Sequence, residues 1–77
     1  MLYITDRITI DNNLCNGKPT IRGKRITAQT ILEYLSAGDS IEDILKQYPT
    51  LEYDDIIACI KFAAELMNRN FQIKSIA

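Results

Sequence analysis

Apolar and polar residues alternate with period two over residues 2–10. Leu2, Ile4, Ile8 and Ile10 fall on one face, and Tyr3, Thr5, Arg7 and Thr9 on the other. Asp6 interrupts the apolar face, so the stretch reads either as two short strands or as one strand with a bulge. Turn residues follow at Asp11-Asn12-Asn13 and Asn16-Gly17, and Pro19 keeps Lys18 extended. Residues 20–26 read as a tight hairpin with Gly23-Lys24 as a type II′ turn. Ile21 and Ile26 then face inward, with Arg22, Lys24 and Arg25 at the tip.

From residue 27 the period becomes that of a helix. Thr27 is the expected N-cap of a first helix with Ala28, Ile31, Leu32 and Leu35 on its buried face, ended by Gly38. Ser40 and Asp43 form a capping-box pattern opening a second helix, with Ile41, Ile44, Leu45 and Tyr48 inward and Pro49 as the stop. A third helix follows Glu52. Leu51 and Ile56 are placed for a hydrophobic staple, and Asp54 and Asp55 favour the first turn through the helix dipole. Its expected buried face is Ile56, Ile60, Ala63 and Met67, flanked by Ile57 and Ala64. The pattern predicts a small α+β domain, mainly α, with a β-containing part over 1–26, a three-helix, helix-turn-helix-like bundle over 27–68 and a tail over 69–77.

With 77 residues the chain holds one domain, near the size at which a single core is barely sufficient, so a partner or a second copy is expected. The absence of His removes the usual triads, Cys-His pairs and His-ligated metals. Cys15 and Cys59 are too few for a zinc site or a disulfide scaffold. Asn16-Gly17-Lys18-Pro19-Thr20 lacks the spacing of a phosphate loop, and Cys15 has no base beside it. Adjacent Asp54 and Asp55 point in different directions on a helix and do not make an acid/base pair. Neither an enzyme nor a cofactor or metal is expected. A cytoplasmic location is, since no apolar run is long enough to span a bilayer.

The net charge of −1 conceals an asymmetry: residues 1–25 carry +3 and residues 26–77 carry −4. The basic cluster Lys18, Arg22, Lys24 and Arg25 has two readings of equal weight: contact with nucleic-acid phosphates, or a solvated hairpin edge whose charges discourage strand pairing. The second and third helices have helix-turn-helix proportions, but the third would bring Glu52, Asp54 and Asp55 towards phosphates.

The runs Ile8-Thr9-Ile10-Asp11 and Cys15 to Ile26, with Gly-Lys-Pro-x-Ile-Arg-Gly at its centre, resemble the signature of the DUF433 family. So do Ile31-Leu32-Glu33, Ala37-Gly38, Ile44-Leu45, Tyr48-Pro49, Leu51, Asp55-Ile56 and Ala63-Ala64-Glu65, and the likeness spans roughly residues 7–66. Asn12, Lys24 and Glu52 depart from that pattern, where Pro, Thr and Thr are frequent. The resemblance implies a homeodomain-like or winged-helix-like fold and a VapB-type antitoxin that pairs with a PIN-like nuclease toxin and binds its own promoter DNA, often as a homodimer. On that reading Lys18, Arg22, Lys24 and Arg25 meet phosphates, and Gln29 and Thr30 are secondary DNA contacts. Phe71, Ile73 and Ile76 are expected to meet the toxin or, with equal weight, their own domain or a dimer mate. The alternatives are a stand-alone DNA-binding regulator and a protein-interaction module that binds no nucleic acid.

Overall fold

In a computed structural model, residues 1–68 are described. Three short strands, β1 (Leu2–Tyr3), β2 (Ile8–Ile10) and β3 (Thr20–Ile21), form an antiparallel sheet in the order β1-β2-β3. Three helices follow: α1 (Ala28–Ser36), α2 (Ile41–Gln47) and α3 (Tyr53–Met67). The chain is therefore a small α+β domain, and residues 2–10 form two strands joined by a turn at 4–7 rather than one bulged strand.

Register assigns the faces. Leu2 pairs with Ile10, and Ile8 with Ile21, on the side that meets the helices. Tyr3, Thr9 and Thr20 lie on the reverse. Ile8 and Ile21 are fully buried with Ala28, Ile31, Ile44, Leu51, Ile56 and Cys59. Thr9 is buried as well, which alternation did not foresee. Its hydroxyl lies 2.9 Å from that of Thr20 and accepts from the Gly23 N–H at 2.8 Å, so the loop after β3 closes over the reverse face.

The turn after β3 is shifted one residue from expectation. The Lys24 N–H donates to the Ile21 carbonyl at 2.8 Å, which places Arg22 and Gly23 at the centre with φ of 47° and 72°. Two positive φ values are the mark of a type I′ turn, which matches the twist of paired strands. Arg22 holds this conformation because its N–H donates to the Arg7 carbonyl at 3.0 Å and its side chain is anchored.

The helix ends follow the local signals. Thr27 accepts from the Thr30 N–H at 3.0 Å, and the Ser40–Asp43 box is complete. After α1, the Gly38 N–H donates to Leu35 and the Asp39 N–H to Tyr34, a Schellman arrangement with Gly38 at φ +99°. The face of α3 is rotated from the expected one. Asp55, Ile56 and Cys59 are buried, while Ile60 is 41 % exposed and Met67 74 %. Ile57, Phe62 and Ala63 are half-buried. The helix is turned towards the side on which Asp55 meets Arg7 and Arg22, so Ile56 stays inward while Ile60 and Met67 do not.

A side chain at position 38 would meet no atom within 4 Å, so Gly38→Ala isolates the cost of a positive φ. The expected loss is about 1 kcal/mol, read as a lower urea midpoint with unchanged slope.

Candidate nucleic-acid interface

The charged groups sort into two sets. The first lies at the start of α3, where the fully buried carboxylate of Asp55 collects four donors. Arg22 approaches as a fork, Nε to Oδ1 at 2.9 Å and Nη2 to Oδ2 at 2.8 Å. Arg7 Nη1 reaches Oδ1 at 2.8 Å, and the Glu52 N–H donates to Oδ2 at 2.8 Å. Arg7 also binds the exposed Glu52 at 2.7 Å and lies 3.8 Å from Asp54, and Arg22 donates to the Thr50 carbonyl. No buried side-chain polar atom among the described residues lacks a partner.

Burial acts most strongly on the Asp55 carboxyl and pulls its pKa upward. The donors from Arg22, the Glu52 N–H and Arg7 together outweigh burial and hold the carboxyl below the usual range. The hydrogen bonds to Glu52 and then Asp55 raise the Arg7 guanidinium further, and the bond to Asp55 raises Arg22. Cys59, inward on the same helix, is pushed up to about 12 by burial and by the Asp55 charge, so it is a core thiol and not a nucleophile.

Arg22 thus points into the domain, although it was expected at a solvent-facing tip with Lys24 and Arg25. The second set is what remains outward. Lys18 and Arg25 are exposed, Lys24 is half-buried, and none of the three makes an ion pair with a described residue. Lys18, Gln29 and Thr30 come together, with Cys15, Asn16, Thr27 and Glu33, around a shallow hollow of about 280 Å³ at the start of α1. Thr30 is partly engaged there, its hydroxyl 2.8 Å from that of Thr27. One wall of the hollow is a left-handed turn in which Cys15, Asn16 and Gly17 all have positive φ. Lys24 and Arg25 lie apart on the 22–25 loop. Phe71, Ile73 and Ile76 lie outside the described residues.

Two features are not marked by the local sequence. By local pattern Asp55 reads as dipole compensation and Arg7 as a residue of the solvent-facing strand side. The third position of a helix is a common place for a capping carboxylate, but no spacing rule joins residues 7, 22 and 55. The other feature is a hollow of about 360 Å³ between the turn at 5–7 and α3, floored by Ile57, Ala58 and Phe62 and rimmed by Arg7, Asp54 and Lys61.

These elements define a small α+β domain with a three-stranded front sheet, three helices and an arginine-clamped helix start. The chain belongs to the family described as "Protein of unknown function (DUF433)", whose profile matches residues 8–63. No curated protein and no solved structure matches it. Among the described residues no helix is long and apolar enough to cross a membrane, and no His, Cys, Asp and Glu side chains cluster in a way that could hold a metal.

Asp55→Asn is expected to cost about 3 kcal/mol or more, because two arginines lose the charge they surround. Glu52→Gln, at an exposed partner, changes stability little. The folded-state pKa of Asp55 is depressed, so its contribution is present above the unfolded value near 4 and fades as pH falls through the lower folded value. Urea titrations from pH 5 to 2 check this: the wild type loses stability on acidification, and Asp55→Asn loses less.

Proposed function

We propose that this chain is the antitoxin of a type II toxin–antitoxin pair. It acts by binding, without catalysis: one surface covers the active site of a PIN-like nuclease toxin, and another binds the promoter of the pair. The family resemblance supplies the class of reading. The observation that carries the nucleic-acid part is the division of the basic residues. Arg7 and Arg22 neutralise most of the acidic start of α3, which lessens the repulsion expected between that helix and phosphates, while Lys18, Lys24 and Arg25 stay outward.

The proposed interface is therefore Lys18, Lys24 and Arg25 for phosphates, with Gln29 and Thr30 at the start of α1 as neighbouring polar contacts. Arg22 contributes indirectly by fixing the loop that carries Lys24 and Arg25. Phosphate contacts position a protein on duplex DNA and release counterions, so each one adds to the salt dependence of binding. On the protein side, Phe71, Ile73 and Ile76 are the proposed contacts to the toxin.

Joint replacement of Lys18, Lys24 and Arg25 by Ala is expected to weaken promoter binding and flatten the slope of log K against log salt by up to about one unit per lost contact. Fluorescence anisotropy over a salt series measures both, and unchanged slope and affinity would sink the interface. For the toxin side, truncation after Asn70 should release the co-purifying nuclease while circular dichroism stays helical. Retention of the complex would place the toxin contact elsewhere.

A further inference from the structure

Strand β1 forms one edge of the sheet. Its pairing with β2 shows which backbone groups are spoken for. The Ile4 N–H donates to the Ile8 carbonyl at 2.8 Å, and Leu2 is in register with Ile10. Tyr3, opposite Thr9 and between those two pairs, is at the position where an antiparallel ladder turns the N–H and C=O away from the neighbouring strand. The far side of the sheet is closed differently. There Ile21 donates to Ile26 and Thr20 bridges Thr27. Among the described residues, β1 therefore carries the open ladder edge.

The side chains along this edge are apolar and exposed: Met1 at 69 %, Leu2 at 67 %, Tyr3 at 53 % and Ile4 at 41 %. Leu2 shares the sheet face of Ile8 and Ile10 but lies beyond the reach of the helices. Over residues 1–5 the edge is protected by its shortness, β1 being two residues long, but it carries no charged side chain and no Pro, and the first charged side chain is that of Asp6.

We infer that this edge is the seat of a second copy of the same chain, with the two β1 strands paired antiparallel about a two-fold axis at Tyr3. The N–H and C=O of each Tyr3 then bond those of its mate. Leu2 of one copy stands across from Ile4 of the other, twice, on the helix side, and the two tyrosine rings meet on the reverse face. The pairing is self-complementary, as a two-fold interface requires. It brings no like charges together, because residues 1–5 carry no side-chain charge. If those four exposed side chains were all covered, roughly 1,000 Å² would be buried in total, which is the low end for a specific interface. The expected dimer is therefore reversible. The result is a continuous six-stranded sheet with both helical layers on one side. This inference stands on the fold alone and does not need the antitoxin reading.

The test is sedimentation equilibrium of the full chain across a concentration range, with two variants. Tyr3→Pro removes the outward donor and touches no hydrogen bond to β2. Leu2→Lys puts a charge opposite Ile4 of the mate while changing a side chain that is exposed in the monomer. The expected result is a concentration-dependent dimer for the wild type, a shift of at least tenfold towards monomer in both variants, and unchanged far-ultraviolet circular dichroism. A wild type that remains monomeric at the highest concentration would overturn the inference. So would a dimer that persists in either folded variant, since that places the contact on another surface or on the 69–77 segment. If Tyr3→Pro fails to fold, Leu2→Lys alone decides. The promoter and toxin measurements above are separate readouts, so failure here leaves them standing and their failure leaves this one.

Discussion

The buried carboxylate of Asp55 ties three distant parts of the chain to one point. Arg7 comes from the entry to β2, Arg22 from the exit of β3, and the Glu52 N–H from the start of α3. A carboxylate can be taken out of water only if its lone pairs are filled, and here four donors fill them. Such a cluster adds little net stability over a well-packed apolar substitute, but removing the buried Asp55 charge from it is costly because Arg7 and Arg22 are left without compensation there. Its physical effect is specificity of arrangement. The fork of Arg22 on Asp55 fixes the sheet against α3 in one rotation about the helix, and that rotation turns Cys59 inward and leaves Ile60 and Met67 outside.

The same cluster redistributes the charge of the molecule. Along the chain the front is basic and the rear acidic, which suggests a strong dipole. In the fold, two of the five front cations meet the acidic start of α3, so part of that dipole is discharged inside the domain. The field that remains outside comes from fewer groups than the sequence count implies. A cation held by a buried acid is not free to meet a phosphate, and the distinction cannot be made by counting Lys and Arg.

What was legible in the sequence was what depends on neighbours in the chain. Thr27, Gly38, the Ser40–Asp43 pair and Pro49 set the helix limits within a few residues, because capping and chain stiffness act over three or four positions. The turn at 22–23 was displaced by one residue, since the preference of Gly for a positive φ fits either of two turn types. The choice was made by contacts from Arg22 to residues 7 and 55, remote in sequence. On α3 the periodicity selects a face centred on Ile56, Ile60 and Ala63, and the fold keeps Ile56 inward but turns the helix so that Asp55 and Cys59 are buried and Ile60 is not, on the side where Arg7 and Arg22 meet Asp55. The individual site residues were visible as types, but their sorting into clamped and outward sets needed the tertiary structure.

The clamp also determines where the domain is left incomplete. It joins β2, β3 and α3, and the loop after β3 covers the reverse of the sheet by way of Thr9 and Gly23. Strand β1 takes no part in either device. It is held by two short pairings to β2, by the Ile4 N–H bond to the Ile8 carbonyl and by the Met1 thioether lying against Gly23, so its outer backbone and most of its apolar surface stay outside the interior that the rest of the chain builds. A domain of this size has little apolar surface to spare. Exposed apolar side chains on an unpaired edge are therefore better understood as surface reserved for a partner than as surplus core, and the rigid attachment of β2 to α3 gives that edge a fixed presentation.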